Sequence, residues 1–356
     1  MKNASPLTIS IALCTYNGER FLQEQLDSLG AQTRLPDEVV VGDDGSADRT
    51  MEILEHWAEK VPFPVRIQRN TKGLGPAKNF EAVMERCTGD IVFLCDQDDV
   101  WFPEKIQKMS AVFEARPEIG LVYCEASTID ENGRDLGIAR SEISRAHVLN
   151  SAMNLFSPNC TRHNPPGCCS AVRRVLLEKV LPIPEDLGHD MLLFLRVPAL
   201  ADVKTLWEPL IQYRFHGQNA SFHDDWQAEF RKIQSKERTC YRWETGVYFL
   251  LEPKIQAFLD WLEGVPDSPY KRRCIRYVKG NQVHYPNRYH LQRNFFIFFP
   301  LFFWEVFTGR YFQRFQPFKS MAYDVLTGLK NGLNPIATLK LAGNVIGKVW
   351  RKLLCR

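Results

Sequence analysis

The chain has 356 residues, of which 45% are apolar and 24% are charged, and its formal net charge is +3. This composition is typical of a globular protein that is large enough for two domains or for one domain with additions. The ten cysteines include no CxxC pair, and the vicinal Cys168 and Cys169 would be strained if bridged. A zinc ribbon and a secreted disulfide framework are therefore not indicated, and the first ten residues show no secretory pattern, so we expect a reducing cytoplasm.

Strands and helices are predicted to alternate through the first hundred residues. The predicted strands are residues 7–13, 39–41, 65–68 and 91–95, and the predicted helices are residues 19–32, 47–58 and 76–86. This order implies a mainly parallel sheet with helices on both faces. Because such sheets bind ligands at the carboxyl ends of their strands, a site is expected directly after the strands.

Polar clusters follow three of these strands. They are CTYNG (residues 14–18), GDDGSAD (42–48) and CDQDD (95–99). In CDQDD, the three carboxylates of Asp96, Asp98 and Asp99 lie within four positions after an apolar run. Carboxylates this close repel one another, and a divalent cation bound between them would explain the arrangement. A solvated turn is the alternative. The joint placement of the clusters on one edge favours a single site.

The order and spacing of these clusters resemble those of family-2 glycosyltransferases with the GT-A fold. The matching motifs are Thr15-Tyr16-Asn17, Asp43-Asp44-Gly45-Ser46, GLGPAKN (73–79) and Asp96-Gln97-Asp98-Asp99. Further motifs, PPGCCSAVRRVLLEKVLPIP (165–184), GHDMLLFL (188–195) and EPLIQYRFHGQNAS (208–221), are similar to the bacterial rhamnosyltransferase-like branch. The resemblance covers roughly residues 7–221. It implies an α/β, Rossmann-like GT-A domain with a mainly parallel sheet flanked by helices.

The resemblance also assigns residues to the base, ribose and diphosphate of a nucleotide-sugar donor. The implied contacts are Thr15, Tyr16, Asn17, Asp44, Asn79, Asp96, Asp98 and Trp101. Asp44 can accept a hydrogen bond from a pyrimidine N3–H, and Tyr16 can offer an apolar face. Asp43 is equally consistent with capping the backbone, and Trp101 with ordinary packing.

By the same resemblance, Asp98, Asp99 and His216 would hold a divalent metal, Mn²⁺ or Mg²⁺, on the donor diphosphate. Asp96 is a weaker third carboxylate. A lone histidine such as His216 is also often purely structural. Arg214 either assists the diphosphate or forms a salt bridge.

Asp190 in GHDMLLFL is the residue that the resemblance implies as general base. It would take the proton of the acceptor hydroxyl, which then attacks the anomeric carbon opposite the diphosphate with inversion. Capping of the following helix is the alternative explanation. His189 stands where many relatives have Glu, which alters the environment of the base.

The carboxyl-terminal part differs in charge. Residues 271–356 contain 16 Lys and Arg but 2 acids, a net +14, which leaves −11 for residues 1–270 given the overall +3. An aromatic run at 295–304 is too short to span a bilayer, and 337–354 has one apolar and one basic helical face, which favours binding to an anionic membrane surface. A helical subdomain packed on the core is the alternative.

Four segments are expected. They are a GT-A catalytic domain at 1–225, divided into a nucleotide-sugar half at 1–105 and an acceptor half at 106–225; a helical segment at 226–290; and an aromatic, basic, membrane-associating tail at 291–356. The sequence lacks the amino-terminal phosphate loop expected of a nucleotidyltransferase, and a non-catalytic membrane adaptor would leave the acidic clusters unexplained. Binding of the tail to nucleic acid is a further alternative, which salt-sensitive binding to DNA but not to vesicles would favour.

The sequence therefore predicts a metal-dependent, inverting glycosyltransferase of bacterial surface-glycan synthesis, such as that of lipopolysaccharide O-antigen. The predicted donor is dTDP-rhamnose or a UDP-hexose, and the acceptor is a glycan or lipid-linked glycan. The predicted location is the inner face of the cytoplasmic membrane, with no nucleic-acid partner.

Overall fold

A computed structural model describes residues 6–139, 141, 166–185, 187–217, 219 and 255–293. The described residues belong to two compact units, one with the sheet and residues 265–272 and the other with residues 255–264 and 273–293. Among the described helices, none combines the length and the apolar character needed to cross a bilayer.

A single mixed sheet organises the first unit, and its described part contains nine strands. The strands are β1 (Ile9–Thr15), β2 (Glu38–Asp43), β3 (Val65–Arg69), β4 (Ile91–Cys95), β5 (Val100–Trp101), β6 (Ile119–Ile129), β7 (Asp135–Ala139), β8 (Ser170–Arg173) and β9 (Asp202–Arg214). Their order is β3-β2-β1-β4-β8-β6-β9-β5, with β7 paired to β6.

Helices flank this sheet. They are α1 (Leu22–Gly30), α2 (Thr50–Ala58), α3 (Pro76–Arg86), α4 (Lys105–Ala115), α5 (Arg174–Val180) and α6 (His189–Arg196), with 3₁₀ turns at Gly167–Cys169 and Val197–Ala199. Every residue of β1, β2 and β4 is buried, as expected of central parallel strands covered on both faces. The predicted α/β fold with a largely parallel sheet flanked by helices is confirmed.

The parallel pairing of β3, β2, β1 and β4 follows the predicted alternation. Two helices begin three residues later than predicted. The chain first turns at Gly18, whose carbonyl accepts from the backbone N–H groups of Phe21 and Leu22, and Asp48 accepts from the backbone N–H and hydroxyl of Thr50 at the start of α2. Polar turn residues therefore delay both helices.

The second half of the sheet adds antiparallel strands that the sequence pattern did not reveal. Strand β8 runs antiparallel to both β4 and β6, and β5 runs antiparallel to β9, whereas β9 is parallel to β6. Strand β5 has only two residues and directly follows Asp99. Its pairing of Val100 with Gln212 and of Trp101 with Ile211 brings the acidic turn to the end of β9.

Cysteines are buried throughout the described residues. The seven free cysteines found there are Cys14, Cys87, Cys95, Cys124, Cys168, Cys169 and Cys274. Burial raises the pKa of the Cys87 thiol to about 12 and that of the Cys274 thiol to about 11. These thiols pack as small apolar side chains.

Part of the predicted carboxyl-terminal organisation can be compared with the structure. Residues 255–264 are helical, and α7 (Pro269–Arg293) continues three residues past the segment 226–290 that was predicted to be helical. The aromatic run at 295–304 and the amphipathic segment at 337–354 lie outside the described residues. The three boundaries between the four predicted segments stay a prediction.

Candidate active site

The carboxyl ends of β1, β2 and β4 meet at one edge of the sheet. Thr15 is in register with Asp43, and Leu13 is in register with Cys95. The TYNG, DDGS and DQDD clusters therefore leave the sheet side by side, as the alternating pattern predicted.

Asp43 organises the turn after β2. Its fully buried carboxylate accepts hydrogen bonds from the Thr15 hydroxyl at 3.0 Å and from the backbone N–H groups of Ser46 at 2.9 Å and Gly45 at 3.2 Å. The Ser46 hydroxyl donates to it as well. Asp43 thus takes the backbone-capping role, and Thr15, which is 2% exposed, serves this turn.

Asp44 lies next to the loop before α3. Its Oδ1 accepts from the Leu74 N–H at 2.7 Å and from the Asn70 amide at 2.9 Å, and its Oδ2 accepts from the Gly75 N–H at 2.9 Å. A carboxylate offers about four acceptor sites. These three hydrogen bonds therefore leave roughly one acceptor site on Asp44 Oδ2.

Tyr16 and Asn17 form the rim of this region. The Tyr16 side chain is 58% exposed, and its backbone N–H and C=O pair with the Gln97 amide at 2.8 and 3.0 Å. Asn17 adopts a left-handed conformation, with φ 48°, and its side chain accepts from the Ala47 N–H at 2.8 Å. Gln97, which sequence reasoning passed over, thus ties the DQDD turn to the end of β1.

Asn79 connects α3 to β2. It is 2% exposed, donates to the Gly42 carbonyl at 2.8 Å and accepts from the Asn70 amide at 3.0 Å. The structure therefore engages both ends of this amide with protein atoms. Its predicted contact with the nucleotide has no support from this geometry.

Asp96, Asp99 and Cys168 form a compact acidic cluster, with ligand atoms that all lie within 4.8 Å of one another. Asp99 is 1% exposed, and its Oδ2 has no hydrogen-bond partner among the described residues. Burial, and then the charge of Asp98, raises the pKa of Asp99 to about 7. Burial and the neighbouring carboxylates likewise hold the pKa of Asp96 well above its usual value. Cys168 was not predicted as a site residue.

Asp98 points to His216 instead. Asp98 Oδ2 lies 2.8 Å from His216 Nε2, and the His216 ring packs beside Phe21 with the ring centroids 4.8 Å apart. Asn219 fixes the histidine by accepting from its backbone N–H at 2.6 Å. The structure thus brings together Asp98 and His216, two of the three residues predicted to hold the metal.

The donor atoms of these residues fit a hard divalent cation. The Asp98–His216 separation is close to the roughly 3 Å between adjacent ligands of an octahedral ion, and the unpartnered buried Asp99 Oδ2 is the kind of atom that a cation satisfies. Carboxylates suit Mg²⁺ and Mn²⁺, whereas imidazole is typical of transition-metal ions and therefore favours Mn²⁺ over Mg²⁺. The Cys168 thiol is a softer group than these ions prefer.

Asp190 occupies the first turn of α6. Its Oδ1 accepts from the Met191 N–H at 2.7 Å, and its charge contributes to the raised pKa of Asp96, so the two carboxyl groups are electrostatic neighbours. His189 stacks on Phe80, with the ring centroids 3.9 Å apart. Burial lowers the pKa of His189, against the opposing charge of Asp190, and so favours the neutral imidazole.

Trp101 lies in the hydrophobic core. It is 3% exposed and packs near Phe93, and the ammonium of the buried Lys105 lies 3.7 Å from the centre of its ring. Lys105 also donates to the Cys168 carbonyl at 2.5 Å. This geometry favours the packing alternative for Trp101.

Comparisons with known proteins agree with this architecture. Residues 10–181 match the family described as Glycosyl transferase family 2. An uncharacterized glycosyltransferase of Nostoc sp. is 31% identical over 217 residues, covering 60% of this chain and 66% of the relative. The amylovoran biosynthesis glycosyltransferase AmsE of Erwinia amylovora is 33% identical over 158 residues, covering 42% of this chain and 58% of the relative.

A third relative is the abequosyltransferase RfbV of Salmonella typhimurium, 30% identical over 132 residues, with coverage of 36% of this chain and 38% of the relative. The chain thus spans less than two thirds of the length of these relatives. Among solved structures, S. aureus TarS 1–349 in complex with UDP-GlcNAc has a TM-score of 0.51 at 17% identity, covering 78% of this chain and 73% of that chain. This likeness establishes a shared fold. The family match places residues 10–181 in glycosyltransferase family 2, and the helix-flanked sheet has the GT-A fold.

Proposed function

We propose that the protein is a metal-dependent, inverting glycosyltransferase that moves a sugar from a nucleoside diphosphate to a hydroxyl group of a growing glycan. This proposal rests on three carboxylates of the first unit, those of Asp44, Asp98 and Asp190. These residues supply an acceptor for a base, a ligand for a cation and a general base. The match to the family supports the reaction class.

The hydrogen bonds of Asp44 favour uracil or thymine as the base of the donor. Three of about four acceptor sites are used by Asn70, Leu74 and Gly75, so one remains for a single N–H donor. The N3–H of uracil or thymine is such a donor. Guanine would present an N–H and an amino group side by side, and cytosine has no N3–H. We therefore propose a UDP or dTDP donor, with rhamnose and hexoses as the candidate sugars.

Asp96, Asp98, Asp99 and His216 are the residues that would hold the cation. A divalent cation supplies Lewis-acid stabilisation of the charge that develops on the leaving diphosphate. The protein contributes the orientation of these side chains. Asp98 and His216 already lie 2.8 Å apart, and Asp99 presents an unpartnered buried oxygen.

Asp190 is the proposed general base. Its carboxylate takes the proton of the acceptor hydroxyl while that oxygen forms a bond to the anomeric carbon, and the bond from this carbon to the diphosphate oxygen breaks on the opposite side. The configuration at the anomeric carbon is therefore inverted. Oδ1 of Asp190 is held by the Met191 N–H, which fixes the carboxylate plane at the start of α6.

A lipid-linked bacterial surface glycan is the proposed acceptor, and the cytoplasmic face of the membrane is the proposed location. Support comes from the +14 net charge of residues 271–356. Truncation at residue 290 should release the protein from anionic vesicles without loss of donor binding. A truncated protein that still sediments with vesicles would contradict the role of the 291–356 tail.

Calorimetric titration with UDP, dTDP, GDP and CDP, each with Mn²⁺ and with EDTA, tests the proposed donor site. We expect Mn²⁺-dependent binding of UDP or dTDP that is lost in Asp98→Ala. Asp27→Asn, a change at an exposed carboxylate of α1, is the matched control and should bind as wild type does. Preference for GDP would contradict the role of Asp44, and absence of binding to all four nucleotides would contradict the proposed function.

A further inference from the structure

A buried arginine lies behind the DQDD turn. Arg214, the last residue of β9, is 2% exposed. Its Nε donates to the Asp98 carbonyl at 2.9 Å, one terminal nitrogen contacts the Asp130 carbonyl at 3.4 Å, and the other forms an ion pair with Glu24 Oε2 at 2.5 Å. All three guanidinium nitrogens are therefore engaged by protein acceptors, which disfavours the predicted contact with the donor diphosphate.

The same residue also holds the second aspartate. The backbone N–H of Arg214 donates to Asp99 Oδ1 at 3.0 Å. With Oδ1 held in this way, the other oxygen of Asp99 is left unpartnered in the cluster with Asp96 and Cys168. One residue thus fixes the main chain at Asp98 and the carboxylate rotation at Asp99.

The first turn of α1 anchors Arg214. Glu24, which is 56% exposed, supplies the countercharge, and the Phe21 ring lies 5.0 Å from the guanidinium carbon. The same ring contacts His216. Phe21, which directly precedes α1, and Glu24 in its first turn therefore support both Arg214 and the histidine that faces Asp98.

We propose that Arg214, held by Glu24, is a positioning residue for the cation-binding carboxylates Asp98 and Asp99, and that it binds no phosphate of the donor. This role rests on the proposed function, since it concerns the same cation site. It predicts that the arginine side chain changes the affinity for the cation itself, before any nucleotide is present. A phosphate ligand would instead change the affinity for the nucleotide alone.

Binding of Mn²⁺ alone to the full chain, followed by the paramagnetic resonance of free Mn²⁺, separates these roles. Arg214→Met is expected to weaken Mn²⁺ binding about tenfold or more, as loss of outer hydrogen-bond partners of a metal site does. Arg214→Lys keeps the charge but lacks the planar fork, so a partial rescue is expected. The backbone N–H to Asp99 persists in both variants, so the comparison isolates the side chain.

Arg20→Met is the matched control. Arg20 also lies over the Phe21 ring, at 4.8 Å, but its side chain is 59% exposed and pairs with Glu131. It should leave Mn²⁺ binding unchanged. Glu24→Gln changes a largely exposed side chain and, like Arg214→Met, should weaken Mn²⁺ binding. If the thermal transition shows that Arg214→Met does not fold, the Mn²⁺ affinity of Glu24→Gln tests the positioning role instead.

The outcomes separate the positioning role from the proposed function. Wild-type affinity for Mn²⁺ in folded Arg214→Met, or in Glu24→Gln, would overturn the positioning role while leaving the function intact. The positioning role would also be overturned if these variants lost nucleotide affinity at saturating Mn²⁺ but kept wild-type affinity for Mn²⁺. Failure of the wild-type protein to bind Mn²⁺ and every nucleotide would overturn the proposed function and this role with it.

Discussion

The buried carboxylate of Asp99 should make the metal-free protein less stable as the pH rises. Its pKa of about 7 in the folded protein compares with a usual value of 3.8, because burial and the charge of Asp98 disfavour ionisation. Between these two values the folded protein binds more protons than the unfolded chain, so the free energy of unfolding falls with increasing pH. Integration over the interval from pH 5 to pH 8 gives a loss of about 2.5 kcal/mol from this group.

Asp99→Asn removes this titration and tests the reasoning. We expect urea unfolding in EDTA to show that the variant gains about 2.5 kcal/mol relative to wild type on going from pH 5 to pH 8. The raised pKa of Asp96 has the same sign and relaxes when Asp99 is neutral, which adds to the difference. Asp27→Asn, at an exposed position on α1, should show no such trend. A difference between Asp99→Asn and wild type that is constant with pH would refute the burial argument.

Three further changes test individual assignments. Asp190→Asn should lower the rate of sugar transfer by about 10²-fold or more while Mn²⁺-dependent nucleotide binding persists; equal losses of both would remove Asp190 from the general-base role. Gln97→Ala deletes two hydrogen bonds to the Tyr16 backbone and should weaken nucleotide binding by up to about 30-fold, at roughly 1 kcal/mol for each bond; unchanged affinity would contradict the link between the two turns. Trp101→Phe should leave nucleotide affinity as in wild type, since the ring lies in the core. A drop in that affinity with an unchanged melting temperature would support a contact between Trp101 and the donor.

The first half of the fold was readable from the sequence because each element there is a local pattern. β-Branched, apolar runs specify β1 to β4, and the polar residues that follow them mark the edge where ligands bind. The two helix starts were predicted too early because the competing hydrogen bonds of Gly18 and Asp48 are tertiary or turn features. The motif order was sufficient to predict the family.

The rest of the site depends on contacts between distant parts of the chain. Strand β8 has four residues, too few to show a period, and the 3₁₀ turn that precedes it carries Cys168 to the acidic cluster. Glu24 and Arg214 are 190 positions apart in the chain, so no spacing could have joined them. For Trp101 the sequence could not decide between a donor contact and core packing, because an aromatic residue beside an acidic motif occurs in both settings.

The burial of the cysteines has a practical use. Thiol reagents attack the thiolate, so the seven buried, high-pKa cysteines of the described residues should react slowly with maleimides at neutral pH. The other three of the ten are Cys160, Cys240 and Cys355, and each lies in a different long segment outside the described residues. Any rapid labelling at neutral pH would therefore be assigned to these three thiols, one in each segment, and a mass map of the labelled peptides would show which of them reacts.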